Sequence, residues 1–428
     1  MRYRAIDPDM FIDHRAKLAG LLLPNSMAVL NANDILPTSA DGTLPFKQSS
    51  DLFYLSGVDQ EETILLIYPG AFDDTMREIL FVRETNERVA TWEGHKLTKE
   101  EARAVSGIQR VEWLSAFPGL FHRLMCECSH VYLNTNEHSR AVIEVQTRDA
   151  RFIDGVRSKY PLHSYQRVAP LLHRLRAVKC GRELELLREA CAITRDGFTR
   201  VCRMVKPGVN EMEIEAEFAH EFIRRGGQFA YSPIIASGAN SCVLHYVQND
   251  RVCRRGEVLL LDVAASYANY NADLTRSIPV SGRFSRRQRQ VYNAVLRVFR
   301  GACKAARPGK LHRDWQRDCE RLMEEELLGL GLLRRADIRK QDPAAPALKK
   351  YFMHGIGHPL GLDVHDVSVA SEPFRAGWVL TVEPGIYIRE EGLGIRIEND
   401  IVLGEQGNTD LMEDVPIEAE EIEALMRK

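Results

Sequence analysis

The 428-residue sequence lacks the apolar segments that membrane insertion or secretion would require. Residues 18–23 form an apolar run that is too short to span a bilayer, and no signal-peptide core follows the N-terminus. The nine cysteines include no Cys-x-x-Cys pair, which is typical of free thiols in a reducing compartment. A net charge of -3 without a basic patch disfavours nucleic acid or an acidic membrane as a partner. These absences predict a cytoplasmic protein that binds neither nucleic acid nor membrane.

Several catalytic motifs are also absent. His220 and Glu221 begin a His-Glu-x-x-His pattern, but Arg224 stands where the second histidine would be. Gly355 and Gly357 begin a pattern similar to a dinucleotide-binding loop, yet the third glycine falls at the wrong spacing. No Gly-x-Ser-x-Gly elbow and no phosphate-binding loop occurs. Serine-hydrolase and nucleotide-dependent chemistry are therefore disfavoured.

The length of the chain favours two domains, because a single hydrophobic core rarely grows beyond about 250–300 residues. Residues 1–176 mix short apolar strands with helices, one of them capped by Thr98 and Glu101, and are predicted to form an α/β domain. Residues 177–428 combine strands rich in Val, Ile and Leu with long helices, such as the one predicted at 286–306. The whole chain is therefore predicted to be α+β, with the smaller domain first.

An acidic residue interrupts the apolar strand predicted at residues 258–263. An acid in such a run is costly unless it is paired or bound to a metal, and Asp262 is that acid. Asp273 follows eleven residues later. A hairpin turn at Tyr267 and Ala268 would set the two carboxylates directly opposite each other, with their β-carbons about 4.5–5.5 Å apart.

A second pair of acids follows with similar spacing. Glu383 ends one apolar strand and Glu398 ends the next, so a turn near residues 390–391 would pair them. A lone buried acid is more often a satisfied hydrogen-bond partner. Two opposed pairs would raise one another's pKa values and destabilise the fold, whereas a divalent cation between them removes that cost. The two pairs together predict a metal site.

Three histidines lie within twelve residues in the glycine-containing segment that begins at His354 and continues through His358 to His365. A single histidine in such a segment is usually structural, but three among glycines indicate a shaped backbone around a site. One would bind metal while the others hydrogen-bond a substrate. His245 is a further candidate, although by itself it would be read as structural.

With these residues in place, residues 177–428 resemble the metallopeptidase family of methionine aminopeptidase, prolidase and aminopeptidase P. The resemblance implies the pita-bread fold for this domain. It implies five metal ligands: Asp262, Asp273, His358, Glu383 and Glu398. It also implies three histidines that handle substrate and two residues that hold the first aspartate: His245, His354, His365, Arg396 and Tyr231. Arg396 lies two residues before Glu398, so both side chains point to one face, and we expect Arg396 to hydrogen-bond Asp262.

The N-terminal half resembles aminopeptidase P in residues 46–57, which include Asp51, and in residues 91–94, which include Trp92. This resemblance implies a Xaa-Pro aminopeptidase, which hydrolyses the bond between an N-terminal residue and a following proline. It also implies a homodimer or homotetramer in which Asp51 and Trp92 contact substrate or a neighbouring subunit.

The resemblance implies a hydroxide that bridges two divalent metals, with Glu383 as the general base. A ligand set rich in oxygen with one imidazole favours Mn²⁺, and Co²⁺, Fe²⁺ and Zn²⁺ are alternatives. Xaa-Pro dipeptidase (prolidase) is the main alternative activity, because Arg375, in the short loop after His365, would reach the carboxylate of a dipeptide. A non-catalytic pita-bread binding protein is the other alternative, and it is disfavoured because all five ligand positions are filled.

Overall fold

The computed structural model describes residues 3–427, which form two compact units. The N-terminal unit comprises Arg4–Arg176, and the C-terminal unit comprises the described residues from Ala177 onward together with Tyr3. Among residues 3–427, no helix combines the length and the apolar character that crossing a membrane requires.

The N-terminal unit is built on one mixed sheet of six strands: β1 Ser26–Asn31, β2 Ile64–Ile67, β3 Glu78–Val82, β4 Arg110–Trp113, β5 His130–Leu133 and β6 Ser164–Arg167. Their order is β4-β3-β2-β1-β5-β6, with β1, β5 and β6 mutually parallel. Apolar side chains of the central strands, such as Val29, Leu66 and Phe81, pack with Phe121 and Val156 from two helices. This packing explains why these strands are continuously apolar.

Seven helices accompany this sheet: α1 Asp9–Ala19, α2 Ser50–Ser56, α3 Glu87–Glu93, α4 Lys99–Ser106, α5 Phe117–Met125, α6 Arg148–Lys159 and α7 Ala169–Ala177. The predicted helix start at Thr98 is confirmed. The Thr98 side chain accepts from the Glu101 N–H at 3.2 Å, and Glu101 accepts from the Thr98 N–H at 2.8 Å. The capping box therefore satisfies two of the backbone donors at this helix end.

The C-terminal unit contains eleven short strands in its described part: β7 Gln228–Phe229, β8 Ile234–Ser237, β9 Val258–Asp262, β10 Ala265–Tyr267, β11 Tyr270–Asn271, β12 Thr275–Pro279, β13 Val379–Val382, β14 Gly385–Ile388, β15 Leu393–Arg396, β16 Asn399–Val402 and β17 Thr409–Asp410. All of their pairings are antiparallel. Its helices are α8 Gly181–Met204, α9 Glu211–Arg224, α10 Arg286–Ala305, α11 His312–Gly329, α12 Arg335–Arg339 and α13 Ala419–Leu425. The long helix predicted at 286–306 is therefore present as α10.

The hairpin that carries the first acid pair differs from the prediction. Asp262 lies opposite Thr275, not opposite Asp273. The turn is made by Ala268 and Asn269, whose φ angles are 50° and 65°, so it lies one residue further along the chain than predicted. The register therefore moves by two residues, which makes Asp262 and Asp273 diagonal neighbours and leaves them on one face.

The second acid pair lies where the sequence predicts it. Strands β13 and β16, and then β14 and β15, pair in one continuous register, so Glu383 and Glu398 occupy facing positions at the junction. Their backbone N–H groups do not bond across that junction. Glu383 donates to the Ile356 carbonyl at 2.8 Å, and Glu398 donates to the Thr275 carbonyl at 3.0 Å. Each glutamate is thus fixed where the hairpin meets another segment of the chain.

Candidate metal centre

Four acidic side chains and one imidazole meet in the interior of the C-terminal unit. Ligand atoms of Asp273, His358 and Glu398 all lie within 4.8 Å of one another. The Nε2 atom of His358 is 3.5 Å from Oδ2 of Asp273 and 3.8 Å from Oε1 of Glu383. These separations suit a shared cation better than direct hydrogen bonds, which require about 2.7–3.2 Å.

Tyr231 joins Asp262 to this group. Its hydroxyl lies 2.7 Å from Oδ1 of Asp262 and 2.7 Å from Oδ1 of Asp273. A phenol has one proton to donate, so it can satisfy only one of these carboxylates. The second contact therefore requires a proton on a carboxyl group or a cation between the two acids.

The electrostatics of the cluster are unbalanced without a cation. Burial raises the pKa of Asp262 and of Glu398, and it raises the pKa of Glu383 to about 7. Neighbouring carboxylates add to these shifts, because like charges at short range oppose ionisation. Divalent cations bound among the four acids would remove the repulsion.

The orientation of His358 fits a ligand role. Its Nδ1 atom donates to the Pro359 carbonyl at 2.9 Å, which leaves Nε2 facing the acids. Its backbone N–H donates to Oγ1 of Thr381 at 3.0 Å, which fixes the residue from behind. Burial lowers the pKa of His358, but the neighbouring carboxylates of Asp273 and Glu383, with the bond to the Pro359 carbonyl, together outweigh burial and raise it overall. A cation in place of that proton would bind the same Nε2 atom, so the donor set fits divalent metal.

Arg396 clamps the first aspartate, as the sequence predicts. Its Nη2 donates to Oδ2 of Asp262 at 2.6 Å, and its Nε donates to Oγ1 of Thr275 at 3.0 Å. Its Nη1 donates to the Tyr387 hydroxyl at 2.8 Å. The planar guanidinium therefore fixes three groups in one geometry, and Tyr231 holds the other oxygen of Asp262.

His354 lies at the far end of the same network. Because the Tyr387 hydroxyl accepts from Arg396, its own proton is available to His354 Nε2, which lies 2.8 Å away. The other ring nitrogen, Nδ1, then donates to the Gly355 carbonyl at 2.7 Å. Burial, followed by the charge of Arg396, lowers the pKa of His354 to about 3. The imidazole is therefore neutral, with both nitrogens engaged.

The two other histidines are exposed at the edge of the cluster. The ring of His365 lies 4.3 Å from that of His358 and perpendicular to it. His245 lies in a turn after the 3₁₀ helix Gly238–Cys242, and its charge is among the influences that lower the pKa of His354.

The three predicted contact residues each have their own surroundings within one unit. Asp51 accepts from Arg176 at 2.7 Å and from Asn134 at 2.9 Å within the N-terminal unit. Trp92 lies on α3 with 82% of its surface exposed. Arg375 is exposed and pairs with Glu372 at 3.3 Å.

Several residues that support the site are not among those predicted from the sequence. Thr275 donates its hydroxyl proton to Oε2 of Glu398 at 2.6 Å, and Asp400 accepts the Asp273 N–H at 3.0 Å. Thr275 follows Asp273 by two residues, so the alternation that identified Arg396 would also have found it. Tyr387 carried no comparable signal, because a buried tyrosine in a strand is ordinary.

Comparisons with known proteins agree with this geometry. Residues 185–405 match the family described as Metallopeptidase family M24, and residues 11–132 match Aminopeptidase P, N-terminal domain. The chain is 34% identical over 431 residues to the Xaa-Pro aminopeptidase of Escherichia coli (strain K12), covering 97% of each chain.

Solved structures show the same architecture along nearly the whole chain. Zinc-substituted Escherichia coli aminopeptidase P in complex with product superposes with a TM-score of 0.88 at 33% identity, covering 99% of this chain and 100% of that one. The Escherichia coli enzyme with the inhibitor Pro-Leu gives a TM-score of 0.87 at 33% identity, covering 99% of both chains. The predicted α+β fold, with an α/β domain before a pita-bread domain, is thereby confirmed. The chain belongs to metallopeptidase family M24 and carries an aminopeptidase P N-terminal domain.

Proposed function

We propose that this protein is a Xaa-Pro aminopeptidase, which removes the N-terminal residue from peptides with proline in the second position. The convergence of four buried carboxylates and one oriented imidazole carries the proposal. Relatives that share both domains support the choice of substrate, since one is named Xaa-Pro aminopeptidase and another binds the inhibitor Pro-Leu.

We assign metal binding to the five residues that the sequence predicts: Asp262, Asp273, His358, Glu383 and Glu398. Four carboxylates and one imidazole match two divalent ions, and this oxygen-rich set favours Mn²⁺, with Co²⁺, Fe²⁺ and Zn²⁺ as alternatives. When bound, such ions supply Lewis-acid polarisation of the substrate carbonyl and activation of water.

The side chains of the protein supply proton transfer and orientation. We assign Glu383 as the base that accepts a proton from the attacking water, because its carboxylate lies among the candidate ligands, 3.8 Å from Nε2 of His358, and bound cations would hold it in the ionised form that accepts a proton. We assign contact with the substrate carbonyl to the exposed imidazoles of His245 and His365. His354 has both ring nitrogens engaged, so we assign it an orienting role beside Glu383, whose Oε2 lies 3.7 Å from its Nδ1.

A series of peptides tests this function against that of a prolidase. A prolidase needs an unpaired cation for the free carboxylate of its dipeptide, whereas the one candidate from the sequence, Arg375, pairs with Glu372. We therefore expect the metal-loaded enzyme to cleave Xaa-Pro-Yaa with higher kcat/KM than Xaa-Pro, and to cleave Xaa-Ala-Yaa poorly. A preference for dipeptides of roughly tenfold, or about 1.4 kcal/mol, that Arg375→Ala abolishes would instead establish a prolidase. Absence of any cleavage would favour the non-catalytic alternative.

We also propose that the protein is a cytoplasmic homodimer or homotetramer. Two observations support this: cysteines such as Cys126, Cys128 and Cys319 are free thiols, and the large apolar side chain of Trp92 is exposed. Light scattering at micromolar concentration should give a multiple of the 48.6 kDa chain mass. Trp92→Ala should weaken assembly while changing the free energy of unfolding of one chain by no more than about 0.5 kcal/mol, as for other exposed sites. A monomeric wild-type protein would contradict the proposal.

A further inference from the structure

A fully buried ion pair lies beside the candidate site and is not used by the chemistry assigned above. The Nζ atom of Lys179 is 3.0 Å from Oδ2 of Asp366, and each side chain is only 1% exposed. Burying two charges costs desolvation energy that their attraction only partly offsets, so such a pair is weak evidence of a stabilising role. Stability alone therefore does not explain the pair, and its contacts with the candidate site suggest another role for it.

The acidic partner lies next to His365. The backbone N–H of Asp366 donates to the Pro359 carbonyl at 2.9 Å, which closes residues 358–366 into a loop. His358 and His365 lie at the two ends of that loop, with ring centroids 4.3 Å apart. Fixing Asp366 therefore fixes the separation of a candidate metal ligand from a candidate substrate contact.

The middle of the same loop wraps closely around the ion pair. A β-carbon at Gly361 would lie 2.2 Å from Oδ2 of Asp366 and 2.9 Å from Cε of Lys179, so only glycine fits. The Gly361 carbonyl accepts from the backbone and side-chain nitrogens of Asn271, at 2.9 and 3.0 Å. Asn271 lies two residues before Asp273, so the loop is attached to the hairpin that carries another candidate ligand.

Backbone contacts fix the segment that carries Lys179. The Lys179 N–H donates to the Gly377 carbonyl at 2.8 Å, and Val178 forms a bridge with Trp378. The segment after Trp378 continues into β13 and then to Glu383. The backbone of Lys179 is therefore attached to the segment that leads to a third candidate ligand, Glu383.

We propose that Lys179 is a positioning residue: by fixing Asp366 it sets the position of His365 relative to His358, and hence the position of the imidazole that contacts substrate. The inference rests on the proposed function, since it takes His365 to contact the peptide. It predicts that removal of both charges leaves metal binding intact while hydrolysis is impaired.

The test uses a double variant, Lys179→Met/Asp366→Asn, in the full-length protein. Either single substitution removes one partner of a buried ion pair and is expected to destabilise the fold, whereas the double variant removes both charges. We expect the double variant to bind as many Mn²⁺ ions as wild type by elemental analysis, with kcat/KM on a Xaa-Pro-Yaa peptide lowered about tenfold, as for other residues that orient a site.

A second test, in the His365→Ala protein, distinguishes a positioning role of the ion pair from a general effect on stability. In His365→Ala protein, the same double substitution should lower kcat/KM by less than about twofold, because effects that act through one residue do not add. Lys310→Met/Asp318→Asn is the control for loss of a Lys–Asp pair as such, since Lys310 pairs with Asp318 at 2.5 Å at a more exposed position of the C-terminal unit. It should change kcat/KM by less than about twofold.

Three outcomes would count against these conclusions. Wild-type kcat/KM in the double variant, or an equal tenfold loss in the His365→Ala background, would overturn the positioning role and leave the proposed function standing. Failure of the metal-loaded wild-type enzyme to cleave any Xaa-Pro peptide would overturn the proposed function itself.

Discussion

The two units of this protein differ in how completely their buried charges are paired with neighbouring groups. In the N-terminal unit, Arg15 is fully buried but donates to Glu78 at 2.9 Å and to the carbonyls of Leu55 and Ser106. Asp51 is largely buried as well, and it accepts from Arg176 at 2.7 Å and from the Asn134 amide at 2.9 Å. Both charged side chains have partners that satisfy them within the unit.

The C-terminal unit instead gathers four carboxylates around one imidazole. Among its described side chains, Arg396 is the guanidinium that donates to one of these carboxylates, Asp262. The Tyr231 hydroxyl has one proton for two acids. The comparison teaches that a buried acid does not by itself indicate a functional site. Unbalanced charge does, because it must be met by retained protons or by bound cations.

The largest expected effect comes from removing one of the unbalanced acids. Asp273→Asn should lower kcat/KM by about 100-fold or more, because Asp273 contacts both Tyr231 and His358 at the centre of the cluster. Elemental analysis should show fewer than two Mn²⁺ ions per chain. Asp149→Asn, at a half-buried acid in the N-terminal unit, is the control and should keep full metal content. An active Asp273→Asn enzyme would remove the basis for the metal site.

A smaller loss of metal affinity or activity is expected when lysine replaces Arg396, because lysine keeps the positive charge but lacks the planar guanidinium. Arg396→Lys cannot reach Asp262, Thr275 and Tyr387 together, so metal affinity or kcat/KM should fall about 10–100-fold. Titration calorimetry with Mn²⁺ measures the affinity directly. Arg15→Lys is the counterpart in the N-terminal unit, and it should lower the unfolding temperature without changing metal affinity. Wild-type affinity in Arg396→Lys would reduce Arg396 to a simple counter-charge.

The last effect concerns the stability of the metal-free protein and its dependence on pH, and it leaves the activity of the metal-loaded enzyme unchanged. Burial raises the pKa of Glu383 from 4.5 to about 7, so the folded state holds this proton more tightly than the unfolded chain does. This shift contributes at most about 3 kcal/mol to the free energy of unfolding. The contribution is present below about pH 4.5 and is lost as pH rises to about 7. With EDTA, the unfolding temperature should fall across this range, and stabilisation by added Mn²⁺ should grow. A metal-free unfolding temperature that does not fall between about pH 4.5 and 7 would show that folding does not raise the pKa of Glu383.

Much of the candidate site could be predicted from spacing, because strand geometry is regular. Glu383 and Glu398 flank a short hairpin, and counting residues back from the turn gives the register that the structure has. Arg396 and Glu398 share a face because side chains alternate along a strand. Thr98 and Glu101 fixed a helix start for a similar reason, since the capping pattern is local.

The position of the first hairpin turn and the contacts between distant residues are not determined by short segments of the sequence. The turn at Ala268 and Asn269 needs two residues with positive φ, and no glycine marks it. Its position, and therefore the register of Asp262, is set by packing of the hairpin. Lys179 and Asp366 are 187 residues apart, and no local pattern indicates that they will meet. Prediction was therefore reliable for arrangements within one hairpin and weaker for contacts between distant segments.

The backbone bonds of the two glutamates have a consequence for the order of folding. Glu398 receives its hydroxyl partner, Thr275, from 123 residues earlier in the chain, and Glu383 docks on the carbonyl of Ile356. No single hairpin contains the whole centre, so its long loops must close before the acids meet. Metal ions can therefore stabilise the finished domain, but they have no complete site to bind in an early intermediate. Recovery of tight metal binding during refolding would report that the most distant strands have already joined.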